Sequence, residues 1–239
     1  MDIAQNVQNI MQRIDKAAKA AGRSPDEISL VAATKMNDSS RVAEAIKAGI
    51  KICGENRVQE LTEKDAQGAY EGAEKHFIGH LQKNKINKLV GVCSLIQSVD
   101  SLELLKQIDK RAAALNLVQD VLLEINIGGE ESKSGLKPEE LTPVLDSAEE
   151  FKHIHIRGLM AIPPISKSEG GNRIYFRQMR QLFIDISEKK YDNVTMDFLS
   201  MGMSGDFEDA IAEGSNMARR FFSSSVSERI TTGSPRAWS

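Results

Sequence analysis

The feature of this sequence that most constrains its fold is a regular alternation of short apolar runs with amphipathic segments. The runs are bounded by polar or turn residues and often contain β-branched side chains, as is typical of strands covered on both faces. The segments between them place apolar residues at helical spacing. This alternation predicts an α/β protein with a parallel sheet. The seven predicted strands are residues 28–34, 50–54, 76–79, 95–99, 118–126, 154–162 and 195–201.

Seven strand–helix units exceed the usual number in an open doubly wound sheet, which is the alternative architecture. We therefore predict a closed (β/α)8 barrel, or TIM barrel, and such a barrel needs an eighth strand. The remaining candidate is residues 216–222, a poor strand sequence because Arg219 and Arg220 lie inside it. Closure of the barrel thus depends on the weakest of the predicted strands.

An extra N-terminal helix is predicted before the first strand. Apolar residues at positions 3, 7, 10, 11 and 14 have helical spacing, and Gly22 provides a stop. No low-complexity linker divides the chain, so residues 1–222 are predicted to form a single barrel domain. Residues 223–239 form an atypical polar tail rich in serine, which we interpret as disordered or as the product of a frameshift.

Composition and charge argue against several classes of function. The net charge is −3 and the pI is about 5.9, so neither nucleic acid nor a membrane is indicated as a partner. The sequence contains no apolar run long enough to span a membrane. Cys53 and Cys93 have neither metal-ligand nor C-x-x-C spacing, which is typical of reduced thiols in a cytoplasmic protein.

Lys35 is the most prominent candidate for chemistry. In α/β barrels the working residues lie at the carboxyl ends of the strands, and Lys35 directly follows the first predicted strand. Burial in the barrel mouth favours a neutral amine, which can form a Schiff base with an aldehyde. The alternative is a strand-end lysine that extends its amine into solvent.

A second candidate is the segment SMGMSG at residues 200–205, which lies between the seventh strand and a short helix. Small residues and the hydroxyls of Ser200 and Ser204 suit a phosphate group, and TIM barrels often bind phosphate after strands seven and eight. The alternative is an ordinary loop in which Ser204 caps the helix. Together with Lys35, this loop offers one group for an aldehyde and one site for a phosphate.

Other polar residues give weaker indications. The four histidines have no metal-ligand spacing with nearby carboxylates, so no metal site is predicted. Glu55 follows the second strand and is a candidate general acid or base. The sequence contains no G-x-S-x-G or Ser-His-Asp pattern of a hydrolase.

Seven motifs, taken together and in order, resemble the pyridoxal phosphate homeostasis protein family, whose members are single-domain barrels that bind pyridoxal 5′-phosphate (PLP). The resemblance runs from about residue 1 to about residue 217. The joint pattern is highly specific, although each motif alone is not. The motifs are LVAATKMN, GENRVQE, HFIGHLQKNK, IQSVDS, INIGGEESKSG, GLMAIPP and LSMGMSGDFEDAIAEGS.

The resemblance implies the fold-type III PLP barrel shared with the N-terminal domain of alanine racemase. It further implies a PLP carrier that influences vitamin B6 and amino-acid balance, with no catalytic residues and no metal. We expect a cytoplasmic monomer whose partners are PLP and, as acceptors, PLP-dependent apoenzymes. The implied cofactor-binding residues are Lys35 as the Schiff-base lysine, Asn56 in the pocket, Ser200 and Ser204 in the phosphate loop, and Arg219 near the pyridine nitrogen.

The chain departs from the family pattern after Met217. The family has a glycine and a small hydroxyl residue that donate to the phosphate, whereas this chain has Phe221 and Phe222. The apolar eighth strand of the family is missing, and the tail after residue 222 resembles nothing in it. This departure predicts weaker barrel closure and weaker phosphate binding.

Two enzymatic functions remain as alternatives. A PLP-dependent amino-acid racemase needs acid–base groups on both faces of the substrate Cα. Alanine racemase takes the required tyrosine from a second domain that we do not expect here, and Tyr70, Tyr175 and Tyr191 lie in predicted helices or at their ends. A lyase-type barrel would use Lys35 to form an imine directly with a carbonyl substrate, without PLP.

Overall fold

A computed structural model describes residues 2–130, 132–166, 168 and 170–222. In this part of the chain, eight parallel strands form a closed barrel in which each strand pairs with the next and the last pairs with the first. The prediction of a (β/α)8 barrel is therefore confirmed. The strands are β1 Ser29–Ala33, β2 Ile52–Glu55, β3 Glu74–Phe77, β4 Leu95–Val99, β5 Gln119–Ile125, β6 Ile154–Ala161, β7 Val194–Ser200 and β8 Met217–Phe221.

Helices connect consecutive strands and cover the outside of the barrel. Their starts follow from the sequence, since the side chains of Asp38 and Ser101 accept the backbone N–H groups of Arg41 and Leu104. None of the described helices is long and apolar enough to cross a membrane. The helices are α1 Ile3–Ala20, α2 Ser39–Lys47, α3 Val58–Ala66, α4 Ile86–Leu89, α5 Leu102–Ala114, α6 Leu141–Asp146, α7 Arg173–Ser187 and α8 Phe207–Ala212.

The extra N-terminal helix α1 covers the seam at which β8 meets β1. It packs against α2 and α8, the helices on either side of this seam. Its apolar face shares one buried cluster with residues of β1 and β8. Helix α1 therefore occupies the position that a helix following β8 would otherwise fill. The α1 residues in this cluster are Ile3, Val7, Ile10, Ile14 and Ala18.

Strand β8 forms despite its two arginines, so the barrel is closed although residues 216–222 are a poor strand sequence. It pairs with β1 over the whole register from Ser29–Met217 to Ala33–Phe221. Side chains alternate between the two faces of a strand, and the two arginines therefore point to opposite sides. Arg219 enters the barrel interior, whereas Arg220 lies outside with its guanidinium 5.7 Å from the Phe207 ring centroid.

The barrel interior is filled mainly by apolar side chains. A small cluster there includes Val31 and Ala33 of β1 and Met217 of β8, which share the inward face with Arg219. Larger clusters fill the space between the sheet and the surrounding helices. This layered core leaves the carboxyl ends of the strands as the place where polar groups meet.

Candidate functional site

The carboxyl ends of the strands surround a cavity of about 260 Å³. Four of the five predicted cofactor residues line it, and Ser200 does not. No group of three or more His, Cys, Asp or Glu side chains in the described ranges is arranged to hold a metal ion. The cavity is lined by Ala33, Lys35, Asn56, Ile78, Ile162, Met203, Ser204, Arg219 and Phe221.

Lys35 lies half-buried in the turn that follows β1. The chain reverses at Met36, whose φ of +62° is in the left-handed region. The Asn37 side-chain amide donates to the Lys35 carbonyl oxygen at 3.3 Å and to the Phe222 carbonyl oxygen at 2.7 Å. The Lys35 ammonium lies 5.1 Å from the centroid of the Phe221 ring. The turn is thus fixed to β8 and presents Lys35 to the cavity.

A buried charged cluster lies beneath this turn. The Glu55 carboxylate accepts hydrogen bonds from the hydroxyls of Thr34 at 2.7 Å and Tyr70 at 2.9 Å, and it pairs with the Lys64 ammonium at 2.6 Å. Lys64 also donates to the Thr34 carbonyl oxygen at 2.9 Å. Burial, followed by the adjacent Glu55 charge, raises the pKa of Tyr70. Glu55, a candidate acid or base, is therefore engaged in supporting the residue before Lys35.

Asn56 enters the cavity directly after β2 because the neighbouring strand allows a close approach. A Cβ atom on Gly79 would lie 2.2 Å from the Asn56 carbonyl oxygen, so glycine is required at this position. The Ser98 hydroxyl donates to the Gly79 carbonyl oxygen and fixes that segment. The ends of three adjacent strands thereby determine where Asn56 lies.

Arg219 is buried, with 4% of its surface exposed, at the floor of the cavity. It donates to the main-chain carbonyl oxygens of Ser200 at 2.9 Å and Ala161 at 2.7 Å. Burial lowers the pKa of Arg219 to about 10, and the charges of Glu124 and Asp206 oppose this shift. The guanidinium therefore remains positively charged at neutral pH and bridges β6 and β7.

Ser200 is fully buried below the cavity. Its hydroxyl donates to the Gln97 side-chain oxygen at 2.7 Å and accepts a hydrogen bond from Arg219. The Gln97 amide in turn contacts the His76 ring at 2.9 Å. Gln97 was not predicted as a functional residue, although it is a polar residue inside the apolar run 95–99. Ser200 acts here as a support for Arg219, and its role as a phosphate ligand stays a prediction.

Ser204 reaches the cavity from the loop between β7 and α8. Gly202 has a φ of +86°, and a Cβ atom there would clash with α8, so this glycine lets the loop pack closely. The Ser204 hydroxyl accepts a hydrogen bond from the Phe221 backbone N–H at 3.1 Å. The Asp206 side chain accepts the Met203 N–H at 2.7 Å, a contact that closes the loop before α8. Ser204 is thus oriented toward the cavity rather than toward α8.

Comparison with known proteins assigns this chain to a family. A family model described as the alanine racemase N-terminal domain matches residues 3–220. The pyridoxal phosphate homeostasis protein of Aquifex aeolicus is 41% identical over 219 residues, which are 92% of this chain and 95% of that protein. The chain belongs to the pyridoxal phosphate homeostasis protein family. The predicted resemblance is therefore confirmed.

Solved structures agree with this family and its barrel. A protein of unknown function from Bifidobacterium adolescentis is 36% identical, with a TM-score of 0.85 and 92% of each chain covered. PipY of Synechococcus elongatus with PLP bound is 29% identical, with a TM-score of 0.75, and the match covers 87% of this chain and 97% of PipY. The described barrel thus has the fold of a protein whose solved structure contains PLP.

The departure from the homeostasis-family pattern falls at the end of β8. Phe222 is 2% exposed and joins the cluster that α1 shares with the seam, and its N–H donates to the Ala33 carbonyl oxygen at 3.1 Å. Phe221 instead lines the cavity beside Lys35. The two residues are therefore integrated into the barrel, one as core and one as cavity wall. The predicted atypical tail, residues 223–239, lies outside the described residues.

Proposed function

We propose that this chain binds PLP as a Schiff base on Lys35 and serves as a PLP carrier in vitamin B6 and amino-acid balance. The observation that carries the proposal is that Lys35 shares one cavity with Asn56, Ser204 and Arg219. The homeostasis-protein names of the relatives and the PLP in PipY support the same function. When bound, PLP supplies an aldehyde for a lysine amine, a pyridine ring and a phosphate group.

The residues present fit the aldehyde and the ring of such a ligand better than its phosphate. Lys35 offers the amine, and the hydroxyl of Ser204 offers a polar contact for the phosphate. Apolar side chains, including Ile78 and Ile162, offer walls for a flat ring. Arg219 holds a positive charge on the cavity floor. The resemblance to the homeostasis family implies that this arginine lies beside the pyridine nitrogen of PLP.

We further propose that the chain lacks strong catalysis. A cationic Arg219 beside the pyridine nitrogen would oppose protonation of that atom, because two adjacent positive charges repel. None of the three tyrosines lines the cavity, and the hydroxyl of Tyr70 is engaged with Glu55. A racemase would need a second acid–base group at this site. These arrangements support binding and release rather than turnover.

The remaining parts of the proposal concern partners and location. We propose that the chain is a monomer, and a reversible covalent bond to a half-buried lysine in the cavity suits the transfer of PLP to PLP-dependent apoenzymes. Cys53 and Cys93 are free and buried, and burial raises the pKa of each to about 12. Free thiols, rather than a disulfide, support a place in the reducing cytoplasm.

The first experiment adds PLP to the wild type, Lys35→Ala and Lys83→Ala, and records the near-ultraviolet and visible absorbance before and after borohydride reduction. Lys83 is exposed and lies outside the cavity, so its variant is the matched control. We expect an adduct that borohydride traps in the wild type and control and that mass spectrometry locates on the peptide containing Lys35, and none in Lys35→Ala. An adduct that persists in Lys35→Ala would reject this lysine as the binding site.

A second measurement tests the absence of strong catalysis. We expect the PLP-loaded protein to racemise alanine and serine far more slowly than roughly 1 per second, a typical lower range for enzymes. Racemisation at or above that rate, lost in Lys35→Ala, would favour the racemase alternative instead. Imine formation with a sugar phosphate in the absence of PLP would favour the lyase-type alternative.

A further inference from the structure

Phe221 contacts both polar groups that are expected to bind the ligand, the Lys35 amine and the Ser204 hydroxyl. Its backbone N–H donates to the Ser204 hydroxyl oxygen at 3.1 Å. Its ring lies over the Lys35 ammonium, with 5.1 Å between the nitrogen and the ring centroid. A ligand that binds both the amine and the Ser204 hydroxyl must therefore lie beside Phe221.

The size and polarity of the cavity make the position of Phe221 important for which ligand can bind. Its volume of about 260 Å³ is just below the roughly 300 Å³ at which ligand pockets usually begin. The walls near Phe221 are apolar, including Ile162 and Met203. An aromatic face is the negative side of the ring's quadrupole, so it attracts the lysine cation and disfavours a nearby phosphate.

We propose that Phe221 determines the ligand class of this site. It admits a flat aromatic aldehyde to Lys35 and opposes the phosphate group of PLP. Recognition then rests on the aldehyde and the pyridine ring more than on the phosphate. This inference rests on the proposed function, because it assumes that Lys35 condenses with an aldehyde.

The chemistry at Lys35 is the same for either ligand. Condensation of the Lys35 amine with an aldehyde forms one C=N bond, and the carbonyl oxygen leaves as water. The step requires no oxidant or reductant, so a phosphate-free aldehyde of the same ring tests recognition without changing the reaction. Any difference in affinity then reports the environment of the phosphate.

The experiment compares PLP with 5-deoxypyridoxal, which lacks the phosphate ester and cannot close into an internal hemiacetal. Dissociation constants are measured by absorbance for the wild type, Phe221→Ala and Phe221→Leu. We expect the wild type to bind the two aldehydes within about tenfold of each other. Phe221→Ala should tighten PLP about tenfold and 5-deoxypyridoxal about threefold or less, and Phe221→Leu should fall between.

Leu115→Ala is the matched control, since Leu115 is 40% exposed against 36% for Phe221 and lies outside the cavity. Melting temperatures of all variants verify that they are folded. A wild-type preference for PLP above about 100-fold that Phe221→Ala leaves unchanged would reject the inference and leave the proposed function standing. Binding of PLP by Phe221→Ala alone would support the ring as the obstacle. Folded proteins that bind neither aldehyde would reject the proposed function itself.

Discussion

The two segments that carry the cationic side chains of the cavity, Lys35 and Arg219, are anchored in different ways. The β1 side, meaning residues 34–37, rests on a buried pair of charged side chains, Glu55 and Lys64. The β8 side, meaning residues 219–222, is anchored largely through main-chain carbonyl oxygens of neighbouring strands. Side-chain partners have to be encoded individually, whereas every residue carries a main-chain carbonyl. This difference explains how β8 closes the barrel with an unusual sequence.

The comparison also predicts unequal sensitivity. Removing one member of a buried ion pair leaves the other charge without compensation in a low-dielectric environment. Removing a cation that is bonded to carbonyl oxygens leaves neutral acceptors, whose loss of partners is less costly. We therefore expect single substitutions to destabilise the β1 side more than the β8 side.

The largest effect is expected for Lys64→Ala. The Glu55 carboxylate is 1% exposed, and this variant removes its cation. The free energy of unfolding should fall by about 3–5 kcal/mol. In a chain of this size, that change lowers the melting temperature by roughly 10 °C. Differential scanning fluorimetry of the purified variant measures it.

Lys75→Ala is the matched control for Lys64→Ala. The Lys75–Asp65 pair has nearly the same N–O distance, 2.7 Å against 2.6 Å, but its side chains are 26% and 36% exposed. Screening by solvent limits its contribution to about 0–1 kcal/mol. Equal losses in Lys64→Ala and Lys75→Ala would contradict the special role of burial on the β1 side.

A smaller effect is expected for Arg219→Lys. A lysine keeps the charge but presents one ammonium instead of a planar fork, so it cannot bridge both Ser200 and Ala161. One buried carbonyl would lose its partner, at a cost of about 1–3 kcal/mol in chemical denaturation. Arg220→Lys, one residue along and on the outside, should change stability by about 0.5 kcal/mol or less. Similar losses in both variants would show that the inward bridge does not anchor β8.

The same comparison shows which parts of the structure the sequence could predict. Lys35 was predictable because its signal is local: an apolar run ends and a lysine follows. The Glu55–Lys64 pair was not, because it depends on how the end of β2 meets one face of α3 in three dimensions. Thr34, which joins Lys35 to this pair, belongs to no sequence pattern that predicts its contacts with Glu55 and Lys64.

Strand β8 shows the opposite limit. A prediction that counts apolar residues treats Arg219 and Arg220 alike. The pleat of the strand places Arg219 inside the barrel and Arg220 outside it. Ser200 shows the same problem at the end of β7, since its position at the strand end was foreseen but its direction below the cavity was not. The direction of a side chain at a strand end depends on register, and a shift of one residue reverses it.

The smallest effect, and the sharpest test of the comparison, concerns Glu124 on β5. Burial, followed by the neighbouring Asp100, raises the pKa of Glu124 above its ordinary value of 4.5. The Ser134 hydroxyl at 3.2 Å and the charges of Arg219 and His80 oppose this shift without overcoming it. The carboxyl group therefore favours its neutral form in the folded protein more than in the unfolded chain.

The sign of the pH dependence follows from that shift. A carboxyl group with a raised folded-state pKa contributes stability below pH 4.5 and loses it as the pH rises through the folded-state pKa. Glu124→Gln should remove this loss, so the variant should gain stability relative to the wild type as the pH rises from 4.5. Melting temperatures of both proteins across that range measure the difference, in which the contributions of groups that do not interact with Glu124 cancel. If Glu124→Gln instead lost stability relative to the wild type as the pH rises, Glu124 would be the charged partner of Arg219. The β8 side would then depend on paired charges, as the β1 side does.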